Sequence, residues 1–266
     1  MILPSASPLG WTLAGAAALA YAVPAAGAAR LGAGSVRTAL ALAWLLHAGA
    51  LVWALVGQTP PRFGFGPALS MTAWLVLTVY AIERQLFPHM QARWMLCALA
   101  ALAVLLGCAF PGQPLHGTAS PWLALHLALG IACYGLFAAA VVHAALMTRA
   151  ERHIRQATEP DSGMPLLTLE RLTFRFVTAG FILLSATLLA GWLFGEQLYA
   201  RAWHWDHKAV FSILAWLTFC VLLVGRMRFG WRGRHARHVL YGGTALLLLA
   251  YVGSRFVLEV VLGKNL

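Results

Sequence analysis

Eight long runs of apolar residues constrain this 266-residue chain more than any other feature of its sequence. Each run has about 20 residues, the length that an α-helix needs to cross the hydrocarbon core of a bilayer. Hydrophobic residues make up 61% of the chain and charged residues only 10%, so little of the sequence remains for a water-soluble domain. The sequence therefore predicts an all-α, polytopic membrane helix bundle. The eight runs lie at residues 9–29, 36–57, 67–87, 92–110, 121–148, 172–194, 208–225 and 238–262.

The basic residues predict how the chain is oriented. Fourteen of the 19 lie in the connections that follow the first, third, fifth and seventh runs, and only four lie on the opposite side. Because cytoplasmic connections carry an excess of Lys and Arg, we expect both termini to lie on the outward, non-cytoplasmic side. The net charge of +11 then reflects orientation, and no nucleic-acid partner is expected. The fourteen are Arg30, Arg37, Arg84, Arg93, Arg149, Arg152, Arg155, Arg171, Arg175, Arg226, Arg228, Arg232, Arg234 and Arg237.

The sequence offers little for conventional catalysis. The four cysteines all fall inside apolar runs and form no Cys-x-x-Cys pair, which argues against thiol redox work and a structural metal. No nucleophile–base pair or metal motif is visible. We therefore expect binding or delivery of a ligand by a single transmembrane domain over residues 1–266, without a cleavable signal peptide.

An outward connection at about residues 195–208 is rich in tryptophan and in titratable groups. It ends in the segment Trp203-His204-Trp205-Asp206-His207-Lys208. Such aromatics can form an interfacial belt at headgroup depth. The same mixture also suits a flat, apolar ligand with an anionic edge, because aromatic faces stack on the ring while Lys or a helix N-terminus meets the carboxylates. Asp206 is in addition well placed to cap the seventh helix.

Two histidines within the apolar runs are candidate iron ligands. His47 lies near the middle of the second run, and His126 lies about one and a half turns into the fifth run from the outward side. A histidine at such a position is either an interhelical hydrogen-bonding group or a functional group. Neutral imidazole is a common axial ligand of haem. In the last run, Arg255 and Glu259 share a helix face, which predicts either an ion pair or an arginine that reaches a ligand carboxylate.

Several segments resemble those of a known family. The sequence Leu-Glu-Arg-Leu-Thr-Phe-Arg at 169–175 precedes the sixth run, and His126 stands before Ala132-Cys133-Tyr134. With the Trp-rich segment, Gly-Trp-Arg-Gly-Arg at 230–234 and Tyr-Val-Gly-Ser-Arg at 251–255, these resemble the cytochrome c assembly (CcsA-type) haem-handling family. The similarity covers most of the chain, is dense from about 120 to 258, and is strongest to the YpjD-like inner-membrane branch.

The resemblance implies a haem-handling function with b-type haem as the cofactor. His126 matches the family's histidine before its "WWD" segment, and His207 stands where the family usually has proline. The family's later histidine has no counterpart at 256–266. The second iron ligand is therefore left open between water, His47 and an outward histidine. Four residues of this chain match positions of the WWD segment itself: Trp203, Trp205, Asp206 and Lys208.

The resemblance also bears on partners. It implies a multi-pass protein of the bacterial inner membrane, with membrane lipid and an apocytochrome or other cytochrome-assembly proteins as partners. Two alternatives stay open at this point: an accessory or regulatory membrane subunit that keeps the fold without haem, and a small-molecule transporter. The transporter is less favoured because the sequence shows no pair of broken helices in matching halves.

Overall fold

A computed structural model describes residues 7–26, 32–57, 60–86, 93–114, 121–156, 165–194 and 205–262. Within these ranges the chain forms eight helices, which confirms the predicted all-α, polytopic bundle. The helices are α1 (Pro8–Ala26), α2 (Ala33–Val56), α3 (Phe65–Leu86), α4 (Arg93–Ala109), α5 (Pro121–Arg155), α6 (Leu166–Leu193), α7 (His207–Phe229) and α8 (Gly233–Leu248).

Seven helical stretches in the described ranges are long and apolar enough to cross a membrane, and the last of them is α8 together with its continuation to Val261. The shorter α4 carries an apolar stretch at Trp94–Ala109. Large apolar side chains such as Leu19, Val56 and Ile182 are more than half exposed. Side chains of this kind are stable at a surface that meets lipid instead of water. The chain is a multi-pass membrane protein.

The long helices α5 and α6 extend beyond the predicted membrane spans. α5 continues seven residues past position 148, and α6 begins six residues before position 172. Hydropathy detects only the part of a helix that lies in lipid, whereas 35 residues form a helix about 52 Å long. The last turn of α5 contains Arg152, His153 and Arg155, and cations there are favoured by the helix dipole. The basic residues of this last turn therefore stabilise the part of α5 that continues beyond the apolar run.

The last helix changes its winding twice. After α8 the chain forms a π-helical segment at Leu249–Gly253, an α-helical turn at Ser254–Phe256 and a second π-helical segment at Val257–Val261. The sequence predicted one uniform span at 238–262. Because π-helical turns are rare and usually short, hydropathy alone gave no reason to expect them.

The chain divides into two compact units. The first comprises Met1–His116 with Arg255–Leu266, and the second comprises Gly117–Ser254. A single domain over residues 1–266 stays a prediction.

In the first unit, α1 packs against α2 and α4, and α3 packs against α4. Small side chains form one of its cores, which brings Ala14 and Ala17 of α1 against Val104 and Cys108 of α4. Small residues allow transmembrane helices to approach closely, which improves their van der Waals packing.

A short antiparallel pair of strands stands at the end of this unit where α3 begins. Strand β1 (Arg62–Phe63) pairs with β2 (Gln113–Pro114). A Cβ at Gly64 would lie 2.6 Å from Cα of Gly112, and Gly112 has φ +81°. Only glycine fits this contact, because a side chain at either position would displace the other backbone.

The second unit is built from α5 to α8, with α5 packed along α6 and α7 packed along α8. Its core contains the stacked rings of Phe137 and Phe219, with centroids 3.8 Å apart and planes inclined by 10°. Gly243 of α8 lies directly against the Phe219 ring, since a Cβ there would be 2.8 Å from Cε1. These contacts join three of the four helices around one aromatic pair.

Candidate functional site

His126 lies between two helices of the second unit. It stands in the second turn of α5, and its half-buried ring faces Gly191 of α6. A Cβ at position 191 would lie 3.4 Å from Cε1 of His126. The imidazole also contacts the backbone of Thr187, one turn earlier on α6. The orientation of this histidine is therefore set by the backbone of the neighbouring helix.

An aromatic pair stands beside His126 at the same end of α5. Trp122 precedes the histidine by four residues and thus lies on the same helix face. Its ring stacks on Phe194, which ends α6, with centroids 4.1 Å apart and planes inclined by 13°. Neither Trp122 nor Gly191 was predicted from the sequence to belong to a site. The four-residue spacing from His126 was a signal that could have indicated Trp122.

The start of α7 carries the described part of the Trp-rich segment. Asp206 accepts a hydrogen bond of 2.8 Å from the backbone N–H of Ala209, which confirms the predicted helix cap. His207 and Lys208 form the first turn, and Trp205 is 72% exposed. Free N–H groups and the helix dipole make this end attractive to anions. Trp203, His204 and His116 lie outside the described residues.

Contacts between α6 and α7 bring the start of α7 to the end at which α6 finishes. Nε1 of Trp216 donates a hydrogen bond of 2.8 Å to Oγ of Ser185. Trp216 lies nine residues after the start of α7, and Ser185 lies eight residues before the end of α6, so the two ends are level. His126, Phe194 and the segment from Trp205 to Lys208 therefore occupy one end of the second unit.

His47 is fully buried within the first unit. Its Nδ1 lies 3.2 Å from the hydroxyl of Tyr21 on α1, and its Nε2 lies 2.8 Å from Oγ of Ser70 on α3. The imidazole thus connects three helices through hydrogen bonds, one of the two roles left open by the sequence. Iron ligation by His47 would need one of these bonds to be broken, and it stays a prediction.

Arg255 also belongs to the first unit. Its Nη1 lies 4.0 Å from Oε1 of Glu259, one turn later. The Glu259 carboxylate stands against the backbone at Gly64, where a Cβ would lie 2.8 Å from Oε1. The ion pair expected from the spacing is therefore observed, and an additional contact of Arg255 with a ligand carboxylate stays a prediction.

The family model described as "Cytochrome C assembly protein" matches residues 36–262. The chain belongs to the cytochrome c assembly protein family. This match covers α2 to α8 and includes His126 and the start of α7, and it confirms the family that the sequence motifs indicated.

Two curated relatives illustrate this membership in the cytochrome c assembly family. Inner membrane protein YpjD of Escherichia coli is 28% identical over 212 residues, which cover 77% of each chain. Cytochrome c biogenesis protein CcsA of a Synechococcus strain is 27% identical over 258 residues, which cover 83% of each chain. No solved structure matches the chain. The family is thus established over most of the length of both proteins.

Proposed function

We propose that this protein binds haem at the end of the second unit that carries His126, and presents it to a cytochrome-assembly partner. Haem would supply the iron and the flat, apolar macrocycle with two carboxylates, and His126 would supply an axial imidazole. The protein would act by holding and orienting this group and not as a conventional enzyme. Membership in the cytochrome c assembly family supports the proposal.

The surroundings of His126 carry the proposal. Gly191 leaves the ring edge of the histidine without an opposing side chain, so the imidazole lies directly against the backbone of α6 and is held between the two helices. The stacked pair of Trp122 and Phe194 borders the same region. Aromatic faces favour contact with a flat apolar ring, and the contact with the backbone of Thr187 would orient the imidazole.

The start of α7 would meet the anionic edge of the ligand. Lys208 provides a cation in the first turn, and the N–H groups there favour carboxylates. Trp205 is an exposed aromatic surface beside them. We include Trp203 and His207 in the proposed site on the strength of the family resemblance. His126 is the proposed principal iron ligand, with His47 as a second candidate.

The proposed orientation puts both termini, and the start of α7, on the outward face of a bacterial inner membrane. The distribution of arginines supports it. An apocytochrome or another assembly protein would then meet the ligand on that side.

An absorption spectrum of the detergent-purified protein, with a pyridine haemochrome assay, tests the proposal. We expect a Soret band and about one b-type haem per chain, which is lost or shifted in His126→Ala. His238→Ala is the matched control, because His238 is an exposed histidine of the same unit on α8. An unchanged spectrum in the folded His126 variant would remove this residue from the site.

A non-haem accessory subunit is the second candidate function. The specific observation in its favour is that His47 has both ring nitrogens within hydrogen-bond distance of protein hydroxyls. Absence of haem from wild type after supplementation with haem would favour this candidate.

A further inference from the structure

A groove of about 690 Å³ runs along the first half of α6 in the second unit. The end of α7 and the turn after it form its other wall. Four arginines and one glutamate line it among the described residues: Arg171, Arg175, Arg226, Arg232 and Glu170. The groove is at the opposite end of α6 from Phe194 and is therefore distinct from the site around His126.

Two of the four arginines are held by the single carboxylate. Glu170 forms an ion pair with Arg226, and Nε of Arg232 lies 3.5 Å from its Oε1. The Arg226 guanidinium also lies 4.5 Å above the centre of the Phe174 ring and 3.3 Å from the carbonyl oxygen of Trp231. These contacts fix a cationic wall in advance of any ligand, so little side-chain freedom is lost on binding.

The conformation of the turn after α7 places Arg232 beside Glu170. Trp231 lies directly over Gly225, where a Cβ would be 2.4 Å from the indole Cε3. Its backbone N–H donates to the carbonyl of Gly225, and Gly230 adopts φ +64°. A glycine at 225 is required because any side chain would collide with the indole. Arg232 follows immediately and is thereby directed to Glu170.

The opposite wall carries two further cations and then becomes apolar. Arg171 and Arg175 are one turn apart on α6, and Ile182 follows two turns later on the same face. Ile182 is 61% exposed. The stripe from 171 to 182 is about 16 Å long, and it passes from the headgroup region into the hydrocarbon because α6 is longer than the bilayer core is thick.

We propose that this groove is a binding site for an anionic glycerophospholipid. The phosphodiester would lie at Arg171 and Arg175, opposite Arg226, and one acyl chain would follow α6 toward Ile182. With four cations against one carboxylate, the groove carries an excess of positive charge that a phosphate group complements. Guanidinium groups match the geometry of phosphate oxygens, and basic pockets between transmembrane helices are typical sites for acidic lipid headgroups. The apolar half of the groove favours a lipid over free phosphate.

Native mass spectrometry of the full chain, released from detergent with added lipid, tests this site. We expect phosphatidylglycerol to be retained more strongly than phosphatidylcholine, which has the same phosphodiester but no net charge. The double variant Arg171→Gln/Arg175→Gln should lower phosphatidylglycerol retention by at least about tenfold. Neither arginine contributes to the ion pairs of Glu170, so the fold should persist, as checked by circular dichroism.

The matched control is Arg228→Gln, which removes an exposed arginine on α7 that does not line the groove; its retention should equal that of wild type. Soluble glycerol phosphate should not displace the lipid, and His126→Ala should retain it fully, since this site is independent of the proposed haem site. Equal retention by wild type and the double variant, or displacement by glycerol phosphate, would overturn the proposal.

Discussion

The ring of His126 on α5 faces Gly191 on α6 with no side chain between them: a Cβ at position 191 would stand 3.4 Å from the histidine Cε1. That distance is an ordinary van der Waals contact, so alanine fits at 191 but a branched side chain would extend over the imidazole. A larger side chain at position 191 would therefore displace the imidazole from the backbone of α6 without replacing the histidine itself.

We expect Gly191→Leu to lower the haem content of the folded protein strongly, because the added side chain would displace the His126 imidazole from its position against α6. Gly191→Ala is the matched control and should keep its haem. Alanine in a helix is about 0.5–1 kcal/mol more favourable than glycine, so the control should unfold at the same temperature as wild type or higher. Equal haem content in both variants would contradict a site at this position.

Substitutions at the start of α7 should lower haem retention without affecting folding. Trp205→Ala should lose stacking of about 0.5–1.5 kcal/mol beyond the lost apolar area, and Lys208→Glu should place a negative charge near the carboxylates. Haem content after extended washing in detergent is the measurement. Trp205→Phe keeps an aromatic face and should retain more haem than Trp205→Ala. Identical content in wild type and all three variants would leave the interfacial anchor as the role of this segment.

His47→Gln should reduce stability without changing the haem spectrum, because it disturbs the hydrogen bonds to Tyr21 and Ser70. Leaving a buried partner unsatisfied costs about 1–3 kcal/mol. Thermal unfolding in detergent, followed by tryptophan fluorescence, measures the first effect. A shifted Soret band in this variant would instead make His47 an iron ligand.

Arg237 and Glu151 join α8 to α5 in a two-pronged ion pair, in which Nη2 lies 2.8 Å from Oε2. Arg237→Gln should destabilise the protein by about 1.5–3 kcal/mol, since it removes a charged hydrogen-bond donor. Arg237→Lys keeps the charge but loses the fork and should have a smaller effect. Arg234→Gln, at an exposed position on the same helix, is the control. If Arg234→Gln lowers the melting temperature as much as Arg237→Gln does, the loss of stability does not come from the ion pair with Glu151.

The proposed orientation predicts that alkaline phosphatase fused after residue 200 or 266 is active, and that the same reporter after residue 160 is inactive. The physical reason is the retention of arginine-rich connections on the cytoplasmic side. Fluorescent-protein fusions at these positions should give the reverse pattern. Phosphatase activity at 160 together with none at 266 would invert the topology.

The number of helices and the helix cap could be predicted because both depend on local sequence. A run of apolar residues defines a span, and Asp206 before an apolar run predicts the cap observed at Ala209. The contacts of His47 with Tyr21 and Ser70 could not be predicted, since they depend on which helices are neighbours. Hydropathy does not specify neighbours when every face meets either lipid or another apolar helix.

The surroundings of His126 were only partly predictable for the same reason. Its own position, and the aromatic and titratable residues at the start of α7, followed from the order of residues in the chain, whereas Trp122 was not predicted. The role of Gly191 could not be predicted, because its contact with His126 is known only once the neighbouring helix is known. The pairing of Glu170 with Arg226 also joins residues far apart in sequence.

The two π-helical segments after α8 have a consequence for how variation in this part of the chain should be interpreted. Each π-helical turn takes in one residue more than an α-helical turn, so each displaces the following residues by about 100° on a helical wheel. A wheel drawn without interruption from residue 233 to residue 261 would therefore assign Glu259 to the wrong side. Substitution scans and coevolution maps of this helix need a separate angular frame for each stretch. Loss of one residue within Leu249–Gly253 would restore regular winding and leave Arg255 in its present direction, whereas loss of a residue from the regular part of α8 would rotate it by about 100°.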